Sequence, residues 1–187
     1  MEFITTHLTV NGKSAEMALE AGTFVTLERK WADGDCIVLS LPMTVERREA
    51  YGGGIYFERG PLVYSYAIPA KWEKDTTRYG NMNGKYPADD NAFPCWSITP
   101  DGPWNFAVEE DAQASFSNGE LLLPVRPVDW SLDEGPNGEK LTPDLPEKPV
   151  PVGPQQVIHL IPYGKTTLRL TVFPVIERTL IPAGGIQ

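Results

Sequence analysis

The stretch FERGPLVYSYAI, residues 57–68, decides the fold class, because a strong strand pattern is interrupted within it. Its aromatic and β-branched residues suit a pleated, half-buried surface. Gly60-Pro61 does not, since proline cannot donate a hydrogen bond to a neighbouring strand. We therefore predict a bulge, or a strand that passes between two sheets, at the corner of a β-sandwich. Arg59 is then redirected towards a carboxylate or a carbonyl, or alternatively towards a substrate or a neighbouring domain.

Turn signals nearer the start of the chain predict further strands joined in hairpins. Asn11-Gly12 follows a strand-like segment and is a strong signal for a tight turn. Asp33-Gly34 separates two alternating segments, so we predict the clearest hairpin over residues 23–41. Trp31 is expected to pack in the core or within this hairpin.

The second half of the chain contains strands broken by proline. Residues 120–132 are strand-like, but Pro124 and Pro127 predict an edge strand or a bulge there. Residues 156–164 and 166–175 predict a final hairpin that turns at Gly164.

Two segments lack a regular period. Residues 69–105 are rich in Asp, Asn, Gly, Pro and aromatic residues, and we predict an elaborated loop with one short strand at CWSI, residues 95–98. Residues 141–154 contain five prolines and predict an extended surface crossing.

Many short strands and frequent turns, without a convincing helical pattern, predict an all-β fold, an antiparallel β-sandwich with long irregular loops. A jelly roll is the alternative, because it is built from the same kind of strands. The chain has 187 residues, which is enough for a sizeable core, and we predict a single domain over 1–187.

The charge of the chain excludes two classes of partner. The formal net charge is −9, from 16 basic and 25 acidic residues, and no basic cluster offsets it. We therefore predict no nucleic-acid partner, because binding phosphates requires a basic surface. We predict no membrane partner either, since an anionic membrane would be repelled and no apolar run is long enough to span one.

Residues that build metal sites are few and widely spaced. Cys36 lies in an apolar run and is interpreted as a small buried residue, while Cys95 lies in a loop-like segment. A disulfide between them stays an open alternative. Together with His7 and His159 they show no metal-ligand spacing, so we predict no metal site in this chain. His159 alternates with apolar neighbours and is expected to point outward.

The acidic clusters give no sign of catalysis. Asp89-Asp90 and Glu109-Glu110-Asp111 are the obvious ones. Catalysis by a carboxylate pair can require two carboxylates about 5–5.5 Å apart, but adjacent charges at turns and strand edges are typical of solvated surface. We predict no catalytic residue in this chain.

Five phrases in order resemble one enzyme family. They are VNGK (10–13), ERKWADGDCIVLSLPM (28–43), ERGPLVYSYAI (58–68), DGPWNFAV (101–108) and LIPYGKTTLRLTVFP (160–174). Together they resemble the C-terminal β-sandwich region of glycoside hydrolase family 127, the β-L-arabinofuranosidase family with its bacterial relatives.

The resemblance implies a non-catalytic part of a larger enzyme of carbohydrate metabolism. Family members have a catalytic (α/α)-barrel followed by β-sandwich domains. Their carboxylate acid/base, their cysteine nucleophile and the zinc–thiolate site all lie in the barrel, so no catalytic position carries over to this chain and zinc is expected only in the barrel. The implied function is an accessory domain that braces an upstream catalytic barrel in cis. The isolated chain is then expected to expose a docking surface and to form homo-oligomers.

Aromatic residues in the irregular segments suggest an alternative function. Sugar rings present C–H groups that stack on the electron-rich faces of aromatic side chains. The chain would then be a carbohydrate-binding module with a glycan as ligand, although the same residues could instead cap the core or pack on the barrel. The candidate residues are Trp72, Tyr79, Tyr86, Trp96, Trp104 and Trp130.

Overall fold

The computed structural model describes residues 6–75, 95–136, 138 and 140–177. Over these residues the chain is almost entirely β-structure, with one short 3-10 turn at Tyr163–Lys165. None of the described segments contains a helix long and apolar enough to span a membrane. The strands are β1 (His7–Val10), β2 (Lys13–Ser14), β3 (Ile37–Ser40), β4 (Val45–Glu49), β5 (Ile55–Arg59), β6 (Leu62–Ala67), β7 (Ala70–Asp75), β8 (Cys95–Pro100), β9 (Phe106–Glu109), β10 (Ser115–Ser117), β11 (Glu120–Pro127), β12 (Asp133–Glu134), β13 (Lys140–Leu141), β14 (Gln156–Pro162), β15 (Arg169–Leu170) and β16 (Val175–Ile176).

Nine of the described strands form one large sheet. Its main path runs β16-β9-β11-β14-β6-β5-β4, while β10 also pairs with β11 and β15 with β6. Alternate residues of β11 point inward: Leu121, Leu123 and Val125 are buried, whereas Leu122 and Pro124 between them are partly exposed. The period of two that predicts strands from the sequence therefore also sets the inner face of the sheet.

The large sheet curls so that a segment beside β16 bridges to β5. Phe173 lies two residues before β16, at one end of the strand order, and Ile55 begins β5, the second strand from the other end. Their backbones exchange two hydrogen bonds, with N–O distances of 2.9 and 2.8 Å. The inner face therefore encloses one core, in which Phe57, Phe106 and Phe173 are buried. The predicted all-β, sandwich-like fold class is confirmed.

Gly60-Pro61 is a hairpin turn. β5 and β6 pair antiparallel with Arg59 opposite Leu62, so only these two residues connect the strands. The φ of Gly60 is +57° and the ring of proline fixes a negative φ, which is the pattern of a type II′ turn. The predicted bulge or sheet-switching corner is wrong at this point. The Arg59 guanidinium lies 3.6 Å from the centre of the Phe116 ring and not on a carboxylate.

Two predicted hairpins have the wrong partners. Residues 24–29 form no strand, and β3 pairs with β1 instead. Near the end of the chain, β14 and β15 do not pair with each other, because both pair with β6. Asn11-Gly12 does form the predicted tight turn, between β1 and β2. Turn signals thus locate strand ends, but a strand whose sequence neighbour is unsuitable finds a distant partner.

The proline-containing strand β11 is central and not at an edge. It pairs with β14 along one side. On its other side β10 covers residues 120–122 and β9 covers residues 126–127. Pro124 lies in the gap between these two neighbours, where that side of the strand has no ladder partner among the described residues. The split neighbour therefore accommodates a proline that sequence rules assign to an edge.

The two irregular segments have more order than the sequence suggests. β7 and β8 form a two-stranded hairpin where one short strand was predicted, and residues 76–94 between them lie outside the described part. The proline-rich segment 141–154 runs beside the end of β11: the Asp129 amide donates to the Val150 carbonyl, and the Val152 amide donates to the Pro127 carbonyl.

Candidate functional site

One tryptophan pair lies on the face of the β7–β8 hairpin. Trp72 and Trp96 are on different strands and about half exposed, and their ring centres lie 6.2 Å apart in an edge-to-face arrangement. Trp72 is directly opposite Ile98, and Trp96 is directly opposite Lys74. Since directly paired residues share a face, these four side chains lie on the same side of the hairpin.

A second tryptophan pair lies where the core meets the surface. The ring centres of Trp104 and Trp130 are 4.9 Å apart, and both rings pack against the buried core. The Trp130 indole N–H donates to the Asp144 carbonyl at 3.0 Å, which holds this ring against the proline-rich segment. The pair borders an open cleft of about 480 Å³, to which Asn105 and Lys140 also contribute.

The two pairs are connected by Ile98. This residue is opposite Trp72 on the hairpin, and it also lines a narrower cleft of about 160 Å³ together with Trp104 and Trp130. Four of the six predicted aromatic residues thus fall into one surface region, which we call the aromatic strip: Trp72, Trp96, Trp104 and Trp130. The other two, Tyr79 and Tyr86, lie outside the described residues.

A different apolar surface is formed by the small sheet of β2, β1 and β3. All four residues of β3 are exposed, and Ile37, Val38 and Leu39 each show about half of their surface to solvent. β3 pairs only with β1 among the described strands, so its other edge is open. An open, apolar edge strand is a surface on which another chain segment can pair.

Two residues of this region depart from the sequence prediction. Cys36 is exposed and not buried. Its backbone makes two hydrogen bonds with Asn11: the Asn11 backbone N–H donates to the Cys36 carbonyl, and the Asn11 Oδ1 accepts from the Cys36 N–H. Trp31 is also about half exposed, with the Arg29 guanidinium 4.9 Å from its ring centre. Neither residue is covered because the predicted hairpin over 23–41 does not form. The side chain of Cys95 lies outside the described residues.

Several polar side chains of the described residues are engaged in pairwise contacts. No group of three or more His, Cys, Asp or Glu residues in the described part of the chain could hold a metal ion. His159 points outward as predicted and pairs with Glu120 at 2.7 Å, while His7 lies 3.1 Å from the Ser14 hydroxyl. Glu109 accepts a hydrogen bond from Arg126 at 2.6 Å and is thus engaged in an ion pair.

The sequence prediction missed one cleft, near the turn between β4 and β5. It has a volume of about 610 Å³ and is lined in part by Arg47, Gly54, Glu110 and Glu147. The Arg47 Nε is buried without a hydrogen-bond partner. The run of three glycines at 52–54 was the available signal, and it was interpreted only as a turn.

The segment that contains the small sheet matches a protein-family model. Residues 4–43 match the family model "Beta-L-arabinofuranosidase, GH127 middle domain". A solved structure named as a glycoside hydrolase is similar at 22% sequence identity with a TM-score of 0.47, over 92% of this chain and 26% of that one. The chain therefore spans about a quarter of that structure's length. No curated protein matches the chain.

The family-model match supports part of the predicted resemblance. The matched segment is similar to a domain of glycoside hydrolase family 127, as the sequence phrases indicated. The matching description is that of a middle domain, and the C-terminal position in the family is not part of it. Residues 4–43 are thus similar to the middle domain of the β-L-arabinofuranosidases, and they include the whole of the small sheet.

Proposed function

We propose that this chain is a non-catalytic accessory β-domain of a larger glycoside hydrolase that resembles the β-L-arabinofuranosidases. Its role is to brace the catalytic barrel of the same polypeptide through the small sheet. The exposed strand β3 is the observation that carries this proposal. On this view the chain alone does not hydrolyse glycosides, and zinc and the catalytic groups belong to the barrel.

The small sheet is poorly suited to remain in solvent. Ile37 and Leu39 share one face of β3 and are each about half exposed. Burying apolar surface contributes about 25 cal/mol per Å², so a surface that covers this face would add stability. Leu41, just after β3, is also more than half exposed. Contiguous apolar patches of this kind mark protein contact surfaces. A neighbouring domain that adds to the edge of β3 or covers its faces would use this surface.

The extent of the family match supports a modular role. It ends at Met43, two residues before β4 begins the large sheet. We infer that the small sheet and the large sheet are successive units along the chain, and that the open face of the small sheet meets the catalytic barrel of the parent polypeptide.

Self-association of the full 187-residue chain tests the docking surface. We expect concentration-dependent oligomers in sedimentation equilibrium, because the open face of β3 can pair with a second copy. Replacing two alternate apolar residues by Ile37→Lys and Leu39→Lys should shift the chain towards monomer. The matched control is Val150→Lys with Val152→Lys, two equally spaced and similarly exposed valines outside the small sheet, and it should leave association unchanged.

The size of the native polypeptide tests the rest of the proposal. An antibody against this sequence, with mass spectrometry of the captured protein, should identify a product several times larger than 20.7 kDa. A product of 20.7 kDa, or a wild-type chain that stays monomeric at high concentration, contradicts the accessory role.

A second candidate function is glycan binding by the aromatic strip. The half-exposed pair of Trp72 and Trp96 favours it, because an edge-to-face pair on a hairpin leaves ring surface available for stacking. The two functions use different surfaces and are tested independently.

A further inference from the structure

The described lining of the clefts beside the aromatic strip differs in charge from the whole chain. The formal net charge is −9, yet none of the described residues that line the two clefts is an aspartate or a glutamate. Two of the lining residues, Lys140 and Arg169, are cationic. The clefts are therefore locally basic in an acidic protein.

The hairpin extends this basic character along one face. Lys74 is opposite Trp96 and two residues from Trp72, so it lies on the strip face. Lys71 and Glu73 lie on the other face, where they form an ion pair at 2.7 Å. Hydrogen bonding to Glu73 raises the pKa of Lys71. The hairpin thus places Lys71 on its back, beside Glu73, and Lys74 on its front, beside the tryptophans.

One of the two cations at the clefts remains available to a ligand. Lys140 has Glu134 at 3.5 Å, but both side chains are at least half exposed, and such surface pairs are worth little and exchange readily. Arg169 borders the smaller cleft, but its guanidinium lies 3.9 Å from the centre of the Tyr163 ring and donates to the Thr167 carbonyl at 3.1 Å. Tyr163 does not line either cleft, so Lys140 is the cation that the clefts offer to a ligand.

We propose that the aromatic strip binds an acidic oligosaccharide, one whose sugar units carry carboxylates. This inference rests on the second candidate function above and assigns its ligand class. Sugar rings stack on the tryptophans at both ends of the strip, and Ile98 provides the apolar contact between them. Lys74 and Lys140 pair with the carboxylates, since ammonium groups form their strongest hydrogen bonds with ionised acceptors.

An oligosaccharide fits better than a single sugar, because the two tryptophan pairs are separate platforms. Trp104 and Trp130 are held by the core and by the Asp144 carbonyl, and they form a fixed end. Trp72 and Trp96 form the outer end on the hairpin. A short ligand can occupy one end only, and a longer ligand can use both.

Calorimetric titration of the 187-residue chain at low salt tests the proposal. The probes are a galacturonic acid hexamer, a galacturonic acid dimer and a neutral glucose hexamer. We expect the acidic hexamer to bind at least about tenfold more tightly than the neutral hexamer, with an affinity that falls as salt increases. The acidic dimer should bind more weakly than the acidic hexamer.

Matched variants separate stacking from charge. Trp72→Ala should weaken hexamer binding about threefold to tenfold. The control is Trp31→Ala, which should leave hexamer binding unchanged. Trp31 is an exposed tryptophan outside the strip and has a cation, Arg29, beside its ring. Lys74→Gln and Lys140→Gln should each weaken the acidic hexamer only, and Lys71→Gln on the back of the hairpin should have no effect. Trp104 and Trp130 are avoided because they pack on the core.

Three results would overturn the proposal. Equal affinity for the acidic and neutral hexamers would show that the ligand need not be acidic. Hexamer binding that is unchanged by Trp72→Ala would show that the outer end of the strip does not contact the ligand. Absence of binding to all probes would show that the strip is not a glycan-binding site. None of these results affects the docking test, since every substituted strip residue lies outside the small sheet.

Discussion

The large sheet and the small sheet have similar sequence patterns, but their apolar residues are buried in the large sheet and exposed in the small one. In the large sheet the central phenylalanines are completely or almost completely buried, with Phe57 and Phe173 at 0% exposure. In the small sheet Ile37 and Leu39 remain about half exposed. Both regions have alternating apolar residues and tight turns. The difference is closure, because the large sheet curls back on itself through Ile55 and Phe173, while β3 has no covering layer among the described residues.

This contrast shows that a strand pattern specifies a face but not what covers it. An inward face is stable only when other strands or another domain remove it from water. The large sheet supplies its own cover. The small sheet lacks one, and this is why we assign it to a domain interface.

The largest expected effect is on the closure residue. Phe173→Ala should destabilise the chain by about 3–5 kcal/mol, because a buried aromatic side chain is replaced by a cavity. Urea unfolding measured by circular dichroism gives the free energy of unfolding. Leu39→Ala is the matched change in the small sheet and should cost less than about 0.5 kcal/mol, as is usual for exposed positions. Similar losses for both variants would show that the small sheet is as well covered as the core.

An intermediate effect on stability is expected at Gly54, in the turn that lies against the Phe173 carbonyl. A methyl group at Gly54 would lie 2.7 Å from Leu145 and 2.8 Å from the Phe173 carbonyl, at a φ of +74°. Gly54→Ala should therefore destabilise by about 1–3 kcal/mol beyond the backbone cost of a positive φ.

Gly52→Ala is the control for this prediction. Gly52 also has a positive φ, but a methyl group there would have no neighbour within 4 Å. Only the backbone cost should then be measured. If both variants lose the same stability, the contact between the turn and Phe173 is looser than the structure indicates.

The smallest expected effect concerns a carboxylate in the small-sheet region. The hydrogen bond from Asn11, the Ala32 N–H and the charge of Arg29 hold the pKa of Asp35 below its ordinary value of 3.8. Because the folded pKa is below the unfolded one, the stabilisation is fully present above the unfolded pKa and is lost as pH falls through the folded pKa.

An NMR titration of the Asp35 carboxyl group measures this directly. The midpoint should lie below 3.8, and Asn11→Ala should move it upward. A midpoint unaffected by Asn11→Ala would mean that the link between the β1–β2 turn and Asp35 does not persist in solution. Closure residues of the large sheet should not influence this titration.

Sequence reasoning succeeded where the signal is local. The all-β class, the Asn11-Gly12 turn and the outward position of His159 follow from spacing and turn chemistry alone. It failed where partners are distant, as for β3 and β15. The Gly60-Pro61 step shows both aspects: the interruption was correctly located, but its role as a two-residue turn depends on β5 and β6 pairing directly.

The sequence identified the aromatic candidates but did not predict how they are arranged in space. Their loop positions identified them as candidates, but nothing in the spacing of Trp72, Trp96, Trp104 and Trp130 predicts two pairs joined through Ile98. The separation of Lys71 from Lys74 needed the hairpin register, because β7 was not predicted as a strand. The net charge of −9 gave no indication that lysines lie beside the strip.

Short antiparallel strands, their apolar faces and the side chains that can stack on sugars are all evident from the amino-acid sequence. These properties depend on residues that are close along the chain. Three other properties appear only when the chain is folded: one sheet closes on its own core, another leaves its apolar strand open, and four tryptophans share a surface with two lysines. These properties depend on pairing between distant segments, whose free energy comes from the surface they bury together and not from the preferences of either segment alone.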